Sequence, residues 1–183
     1  MQKLERTTGE TSVTIKMAEE SRIETDFPLL THMLEALCCH GGFSIEIKAK
    51  GDVEVDPHHL VEDTGFLLGR FMKPAGPVQR AGCFTFPMDD ALAQAAVDLS
   101  GRPYCLWSVN PVETAIAGTH TGLFREFFQG FARGAGAAVH LVLIHGTDPH
   151  HSIEAVFKAF ARALSMALTP TANIMSTKGV IEC

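Results

Sequence analysis

The sequence predicts an α+β fold made of two similar half-domains, each a β-sheet covered on one face by helices, with the helices packed between the two sheets. Three observations predict it: one seven-residue motif occurs twice, the same apolar helical pattern precedes both copies, and a strand-like run separates pattern and motif in each half. The motif reads DPHHLVE at residues 56–62 and DPHHSIE at residues 148–154. Equivalent residues lie 92 positions apart, about half of the 183-residue chain, which indicates an internal duplication.

The first predicted helix of each half carries apolar residues at i, i+1, i+4, i+5 and i+8, the spacing of one helical face. These residues are Leu29, Leu30, Met33, Leu34 and Leu37 in the first half and Leu123, Phe124, Phe127, Phe128 and Phe131 in the second. Glycines predict helix ends at residues 41–42 and at Gly134 and Gly136. The two stripes are offset by 94 residues, so His32 corresponds to Glu126, and both residue types can bind a metal.

Strand-like runs follow these helices at residues 43–49 and 138–144, and further β-prone runs cover residues 12–17, 83–86 and 104–109. The repeated motif then opens the second helix of each half. Asp56 and Asp148 suit the N-cap, and Pro57 and Pro149 suit the first helical position. A stretch rich in Pro and Gly at residues 73–82 predicts the connection between halves. Residues 1–183 are therefore expected to form one domain with halves at about 1–78 and 79–183.

Composition excludes several classes of protein. A hydrophobic content of 46% and a mean hydropathy of +0.12 suit one compact unit, and the apolar stretches are too short and interrupted to span a membrane. No secretory signal is expected, which favours the cytoplasm. The five cysteines form no CxxC spacing and are expected to be reduced thiols. A net charge of −6 argues against nucleic acid, so an anionic ligand would need local basic residues.

The histidine pairs predict a site with two metal ions. Neighbouring residues on a helix diverge by about 100°, so adjacent histidines do not easily bind one ion, whereas His58 or His59 shares a face with Glu62. One His of each pair would join its own Glu, and its neighbour would reach the metal of the other element. His32 would complete one site and Glu126 the other. The predicted ligands are His32, His58, His59, Glu62, Glu126, His150, His151 and Glu154.

These nitrogen and oxygen ligands suit manganese, iron or zinc, and the residues alone leave the choice open. The crossing histidine can come from the same chain or from another subunit, and we expect metal-linked oligomerisation. A single HHxxE segment is as consistent with helix capping or an ordinary surface as with metal binding. Its duplication together with the DP prefix favours metal binding.

Nine segments carry a resemblance to a known family. They are residues 6–11 (RTTGET), 32–34 (HML), 40–43 (HGGF), 55–63 (VDPHHLVED), 84–92 (FTFPMDDAL), 98–104 (DLSGRPY), 127–128 (FF), 150–162 (HHSIEAVFKAFAR) and 176–179 (STKG). In this order they are specific, and the chain resembles the imidazoleglycerol-phosphate dehydratase family nearly end to end. The resemblance implies a lyase of histidine biosynthesis that removes water from imidazole glycerol phosphate to give imidazole acetol phosphate. It also implies two Mn(II) ions per active site and a homo-oligomer of 24 subunits built from trimers.

The resemblance further implies that the substrate imidazole binds the two Mn(II) ions as imidazolate, which can hold charge as hydroxide leaves. Glu10 is then the expected general acid/base, and Glu62 and Glu154 could share that task. Residues that match the family's substrate contacts, mostly to phosphate, are His40, Arg80, Arg102, Lys158, Ser176 and Lys178.

The chain departs from the family pattern at several positions near the expected site. The departures are Thr31, Ala36, Pro57, residues 119–122 and Glu126, with a shortened segment between Arg70 and Arg80. They keep two other interpretations open. A dinuclear metallohydrolase would release phosphate, and an inactive metal-binding assembly protein would form oligomers without turnover. Neither accounts for Glu10, Arg102 and residues 176–179 occurring together with the histidine pairs.

Overall fold

A computed structural model describes residues 2–173 as two four-stranded sheets with helices between them. The first half contains β1 (Lys3–Thr7), β2 (Thr11–Met17), β3 (Arg22–Thr25), α1 (Pro28–Gly41), β4 (Ile45–Gly51) and α2 (His58–Phe71). The second contains β5 (Ala81–Met88), β6 (Ala91–Asp98), β7 (Tyr104–Ser108), the short strands β8 (Ala115–Ile116) and β9 (Thr119–His120), α3 (Phe124–Ala135), β10 (Ala138–His145) and α4 (Pro149–Ala167). Residues 72–80 connect α2 to β5.

The two halves have the same sheet topology. The strand order is β1-β2-β4-β3 in one sheet and β5-β6-β10-β7 in the other. In both, the first three strands of the order pair antiparallel with one another, and the last strand pairs parallel with the third. The duplicated α+β fold predicted from the repeat is confirmed. The boundary near residues 78 and 79 falls within the connecting segment and stays a prediction.

The core lies between the sheets, where α2 packs against α3 and α1 against α4. Alternate residues of the strands face it, such as Val13 and Ile15 of β2, which are at most 1% exposed. The predicted apolar stripes are buried apart from Leu29 and Leu123, which are half-buried. Helices α3 and α4 contribute a set of fully buried aromatic rings in mutual contact: Phe124, Phe127, Phe128, Phe131, Phe157 and Phe160. These rings pack α3 against α4.

Glycines allow α2 and α3 to approach backbone to backbone. A Cβ atom on Gly65 would lie 2.1 Å from the carbonyl oxygen of Phe127, and one on Gly134 would lie 2.1 Å from that of Phe66. Gly134, which the sequence predicted as a helix end, is therefore an interior packing residue. The helix ends at Ala135, and Gly136 (φ 65°) provides the left-handed residue after it.

Replacing Gly65 by alanine is expected to destabilise the chain by about 1–3 kcal/mol, because the new methyl group would push two helix backbones apart. Urea unfolding of the metal-free protein measures this change as a lower midpoint at constant slope. Gly76→Ala is the matched control, since a Cβ atom there has nothing within 4 Å. Equal stability of the Gly65 and Gly76 variants would contradict the close helix contact.

The cysteines within residues 2–173, namely Cys38, Cys39, Cys83 and Cys105, are free thiols, as expected. Burial raises the pKa of Cys38 and of Cys105 to about 11. Both therefore stay protonated and poorly nucleophilic at neutral pH. In the same part of the chain, every helix is too short or too polar to cross a membrane.

Candidate active site

The two motif copies begin their helices differently. In α4, Asp148 is the N-cap and its side chain accepts the N–H groups of His150 (2.7 Å) and His151 (3.1 Å), as predicted. Helix α2 begins one residue later than predicted, because Pro57 (φ −78°, ψ 5°) takes the cap position and does not open the helix. Asp56 still accepts the N–H of His58 at 2.7 Å. Both histidine pairs nevertheless lie in the first turn.

Three potential metal ligands from two helices lie together at the start of α4. His32 of α1 and His150 and Glu154 of α4 each place one ligand atom within 4.8 Å of the others. Nε2 of His32 and Nε2 of His150 lie 3.5 Å and 3.3 Å from the same oxygen, Oε2 of Glu154. Ligands that bind one ion at about 2.1 Å stand about 3–4 Å apart. Imidazole nitrogen and carboxylate oxygen without thiol suit manganese, iron or zinc, so this group fits a divalent ion.

The carboxylate of this group is buried and charged. The Glu154 side chain is 10% exposed, and Nζ of Lys158, one turn further along α4, lies 2.7 Å from its Oε1. Burial raises the pKa of Glu154, but the hydrogen bond and charge of Lys158, aided by His32, outweigh burial and leave the pKa below its usual value. One oxygen is thus held by Lys158 while the other faces the two histidines.

The first motif copy holds two of its predicted ligands together and leaves the third apart. Nε2 of His58 lies 3.8 Å from Oε2 of Glu62, whose Oε1 forms an ion pair with Arg133 of α3. Glu126, the predicted third ligand, pairs with Arg125 at 3.0 Å. Within residues 2–173, the group of His32, His150 and Glu154 is the one set of three in range. A metal-binding role for Glu126 stays a prediction.

The second histidine of each pair bonds to an aspartate through Nδ1. Nδ1 of His59 lies 3.2 Å from Asp52, and Nδ1 of His151 lies 2.7 Å from Asp90. These hydrogen bonds raise the pKa of both histidines. Within each pair the rings are nearly perpendicular, at 84° and 85°. Adjacent histidines therefore face different directions, as the helical geometry predicts.

Glu10, the predicted general acid/base, lies in the turn between β1 and β2 beside the first motif copy. Its Oε2 is 3.7 Å from Nδ1 of His59. The hairpin is anchored to α2 by Arg6, whose Nε donates to Asp63 at 2.8 Å. A cavity of about 240 Å³ opens here, lined by Glu10, His59, Glu62 and Arg133 among others. Glu10 is thus gathered with His59 and Glu62.

His40 and Lys158 lie next to the His32 group. Both contact Phe86 of β5, with a ring centroid distance of 5.0 Å for His40 and 5.7 Å from Nζ of Lys158 to the ring centroid. Burial lowers the pKa of His40, and the charge of Lys158 lowers it further. The sequence placed Lys158 beside Glu154 from its helical spacing, and the structure does the same.

The predicted phosphate contacts Arg80 and Arg102 lie at the opposite end of α4. The N–H of Arg80 donates to the carbonyl of Ala167, while His150 begins the helix. At 1.5 Å per residue these positions are about 25 Å apart. The guanidinium of Arg80 donates to both oxygens of Asp98 (2.8 and 3.2 Å), and Arg102 is exposed in the loop that follows β6. Ser176 and Lys178 lie outside the described residues.

Sequence reasoning assigned no role to three residues that contact the site: Asp52, Asp90 and Arg133. Asp90 belongs to a DD pair in the turn between β5 and β6, and Asp52 lies seven residues before His59. Neither aspartate lies on the helix of its histidine, because Asp52 follows β4 and Asp90 lies between β5 and β6. Helical spacing therefore could not link either aspartate to its histidine. Arg133 lies on another helix, 71 residues from Glu62, so no local pattern links them.

Comparison with known proteins gives the family. A model of the family described as imidazoleglycerol-phosphate dehydratase matches residues 25–164. A protein of that name from Gluconobacter oxydans is 41% identical, with 98% of this chain and 96% of the relative covered. Another from Citrifermentans bemidjiense is 43% identical, with 96% of each covered.

Two solved structures share the fold. A crystal structure of the dehydratase from Pyrococcus furiosus in complex with (S)-C348 superposes with a TM-score of 0.90 at 37% identity, covering 97% of this chain and 100% of that one. The structure from Staphylococcus aureus gives 0.81 at 33% identity, covering 93% and 100%. Fold and relatives together define the class as a hydro-lyase with a duplicated two-sheet architecture. The chain belongs to the imidazoleglycerol-phosphate dehydratase family.

Proposed function

We propose that this protein is a manganese-dependent enzyme of histidine biosynthesis that converts imidazole glycerol phosphate to imidazole acetol phosphate, with two Mn²⁺ ions per active site. The observation that carries the proposal is the group formed by His32, His150 and Glu154 in a chain that matches named dehydratases over nearly its whole length. The proposed location is the cytoplasm, and the proposed unit is one domain with halves at about 1–78 and 79–183.

One ion would be held by His32, His150 and Glu154, and the other by His58, Glu62 and Glu126. His59 and His151 would each supply a further nitrogen to the ion that is held by the other motif copy, in the same chain or in another subunit. When bound, the ions would act as Lewis acids that stabilise negative charge on the imidazole ring and so favour loss of hydroxide. Glu62 would bind through Oε2, which faces His58, while Arg133 holds Oε1.

Glu10 would move the proton in this reaction. Dehydration removes a hydroxyl group from one carbon and a proton from its neighbour, so a base beside the ring is required. Glu10 borders the cavity next to His59, and its carboxylate is 57% exposed, so a bound substrate could reach it. Glu62 and Glu154, proposed as metal ligands, would share in this proton transfer.

The site would be completed between subunits. Within residues 2–173, no ion pair or ring contact links the first motif copy to the second. Arg80 is about 25 Å along α4 from His150, farther than one small phosphate ester can span. Copies of the chain would therefore bring these parts together in a large homo-oligomer, for which the family's 24-subunit assembly is the proposed form.

Phosphate would be bound by cations and a hydroxyl group from these separate regions. The hydrogen bond to Asp98 fixes the guanidinium of Arg80 in place. Lys158 lies beside Glu154, in the group that also contains His32 and His150. Arg102, Ser176 and Lys178 would add two charges and one hydrogen-bond donor. His40 would contact the substrate next to Lys158.

The decisive experiment assays purified protein with imidazole glycerol phosphate, with and without Mn²⁺, together with metal analysis. We expect imidazole acetol phosphate to form only when the metal is present. Release of inorganic phosphate would favour a metallohydrolase, and metal binding without any product would favour an inactive assembly protein.

A further inference from the structure

We propose that Asp90 and Asp52 are positioning residues that keep the Nδ1 atoms of His151 and His59 protonated, so that Nε2 is the metal-binding nitrogen of both. The inference rests on the proposed function in one respect, namely that a metal ion is what Nε2 binds. The hydrogen-bonding argument depends on the described contacts alone.

Asp90 contacts His151 with one oxygen and the backbone with the other. Its Oδ1 lies 2.7 Å from Nδ1 of His151, while its Oδ2 accepts the N–H groups of Thr147 (2.7 Å) and Asp148 (2.9 Å). An ionised carboxylate can only accept hydrogen bonds, so Nδ1 must donate. A neutral imidazole carries one hydrogen, and Nε2 therefore keeps the lone pair that a metal needs.

In the other half, Asp52 keeps Nδ1 of His59 protonated in the same way, although it lies at a different place in the fold. It follows β4, and its two oxygens lie 3.2 and 3.3 Å from Nδ1 of His59, whereas Asp90 lies in the turn between β5 and β6. By contrast, the first histidine of each pair directs Nε2 toward its own glutamate. Two unrelated aspartates thus fix the same nitrogen of the second histidine in both halves.

The backbone contacts make the outcome of Asp90→Asn specific. An asparagine has one oxygen and one amide nitrogen, and the two backbone N–H groups need the oxygen. The amide NH₂ would then face Nδ1 of His151, which must become an acceptor, and the hydrogen would move to Nε2. The equivalent change in a catalytic triad acts through the same change of tautomer. Asp52 has no backbone N–H donor among its described contacts, so Asp52→Asn can turn its oxygen toward His59.

The experiment uses the full chain, wild type and variants, first without metal and then titrated with Mn²⁺. Nitrogen-15 NMR of labelled histidine reads the tautomer of the metal-free protein, and electron paramagnetic resonance counts free Mn²⁺. In Asp90→Asn we expect His151 to carry its hydrogen on Nε2, and Mn²⁺ affinity to fall about 10–100-fold. Asp52→Asn should weaken binding less than Asp52→Ala does.

Asp89→Asn is the matched control. It removes the same charge from the same turn, and its position (φ 48°) is one that asparagine accepts. Its carboxylate lies 3.6 Å from Nε2 of His151, so it leaves Nδ1 untouched. If Asp89→Asn moves the hydrogen of His151 to Nε2, or if Asp90→Asn keeps it on Nδ1, the proposal is wrong. If Asp90→Asn does not fold, the Asp52→Ala variant tests the proposal instead. An unchanged Mn²⁺ affinity in Asp52→Ala would overturn the proposal. A wild type without metal binding or dehydration would overturn the proposed function and leave the tautomer result standing.

Discussion

Replacement of His150 by alanine is expected to lower the rate of dehydration by at least about a hundredfold. Loss of a residue that merely orients a ligand costs about 10–100-fold in metal affinity or activity, and His150 would itself be the ligand. Its Nε2 lies 3.3 Å from the buried Glu154, in a group that fits one divalent ion. Steady-state kinetics with imidazole glycerol phosphate, combined with the metal content of the purified variant, measures the effect.

The fold should survive this change, because the His150 side chain is 40% exposed and lies outside the aromatic core. His140→Ala is the matched control, since His140 is an exposed residue of β10 whose ring contacts Tyr104, away from the proposed ligands. Circular dichroism should be the same for both variants and the wild type. Full activity and full metal content in His150→Ala would remove this group from the active site.

Removal of metal is expected to convert the proposed large assembly into smaller oligomers, and Mn²⁺ should restore it. The reason is that His59 and His151 would bind ions held by a motif copy of another subunit, so the ions would link chains of 19.8 kDa to one another. Light scattering of chelator-treated protein before and after addition of Mn²⁺ measures the mass. We expect the mass to rise several-fold when Mn²⁺ is added.

His151→Ala distinguishes a metal link from a general effect of metal on stability. This variant should keep the ion at His32, His150 and Glu154 but fail to reassemble with Mn²⁺. His120→Ala, whose side chain instead caps its own turn at Gly122, should reassemble normally. An unchanged mass on metal removal would contradict ligands shared between chains.

The sequence predicted a large part of the fold because its signals are local or repeated. Helical periodicity gave the buried stripes, and glycine gave the ends of α1 and, through Gly136, α3. The 94-residue offset indicated that His32 would be a ligand, and the structure places it with His150 and Glu154. The strands β1, β3 and β6 carried weaker signals and were not anticipated, because their pairing depends on neighbours far along the chain.

The candidate site was only partly predictable for the same reason. The offset also assigned Glu126 to the second ion, yet Glu126 pairs with its neighbour Arg125. Glu62 pairs with Arg133 across the contact between α2 and α3. Which charged side chains meet across two helices depends on the helix crossing, and the crossing here is set by Gly65 and Gly134. No spacing along the chain contains that information.

The sequence by itself determined the duplication, the nitrogen and oxygen donors of the candidate ligands, and the separate directions of adjacent histidines, since each follows from residue identity and the helical turn. Only the tertiary structure decided which three candidate ligands assemble within one chain, which aspartate contacts the second histidine of each pair, and that Arg80 lies at the far end of α4 from His150. Those outcomes depend on distances between elements, which packing fixes and local sequence does not.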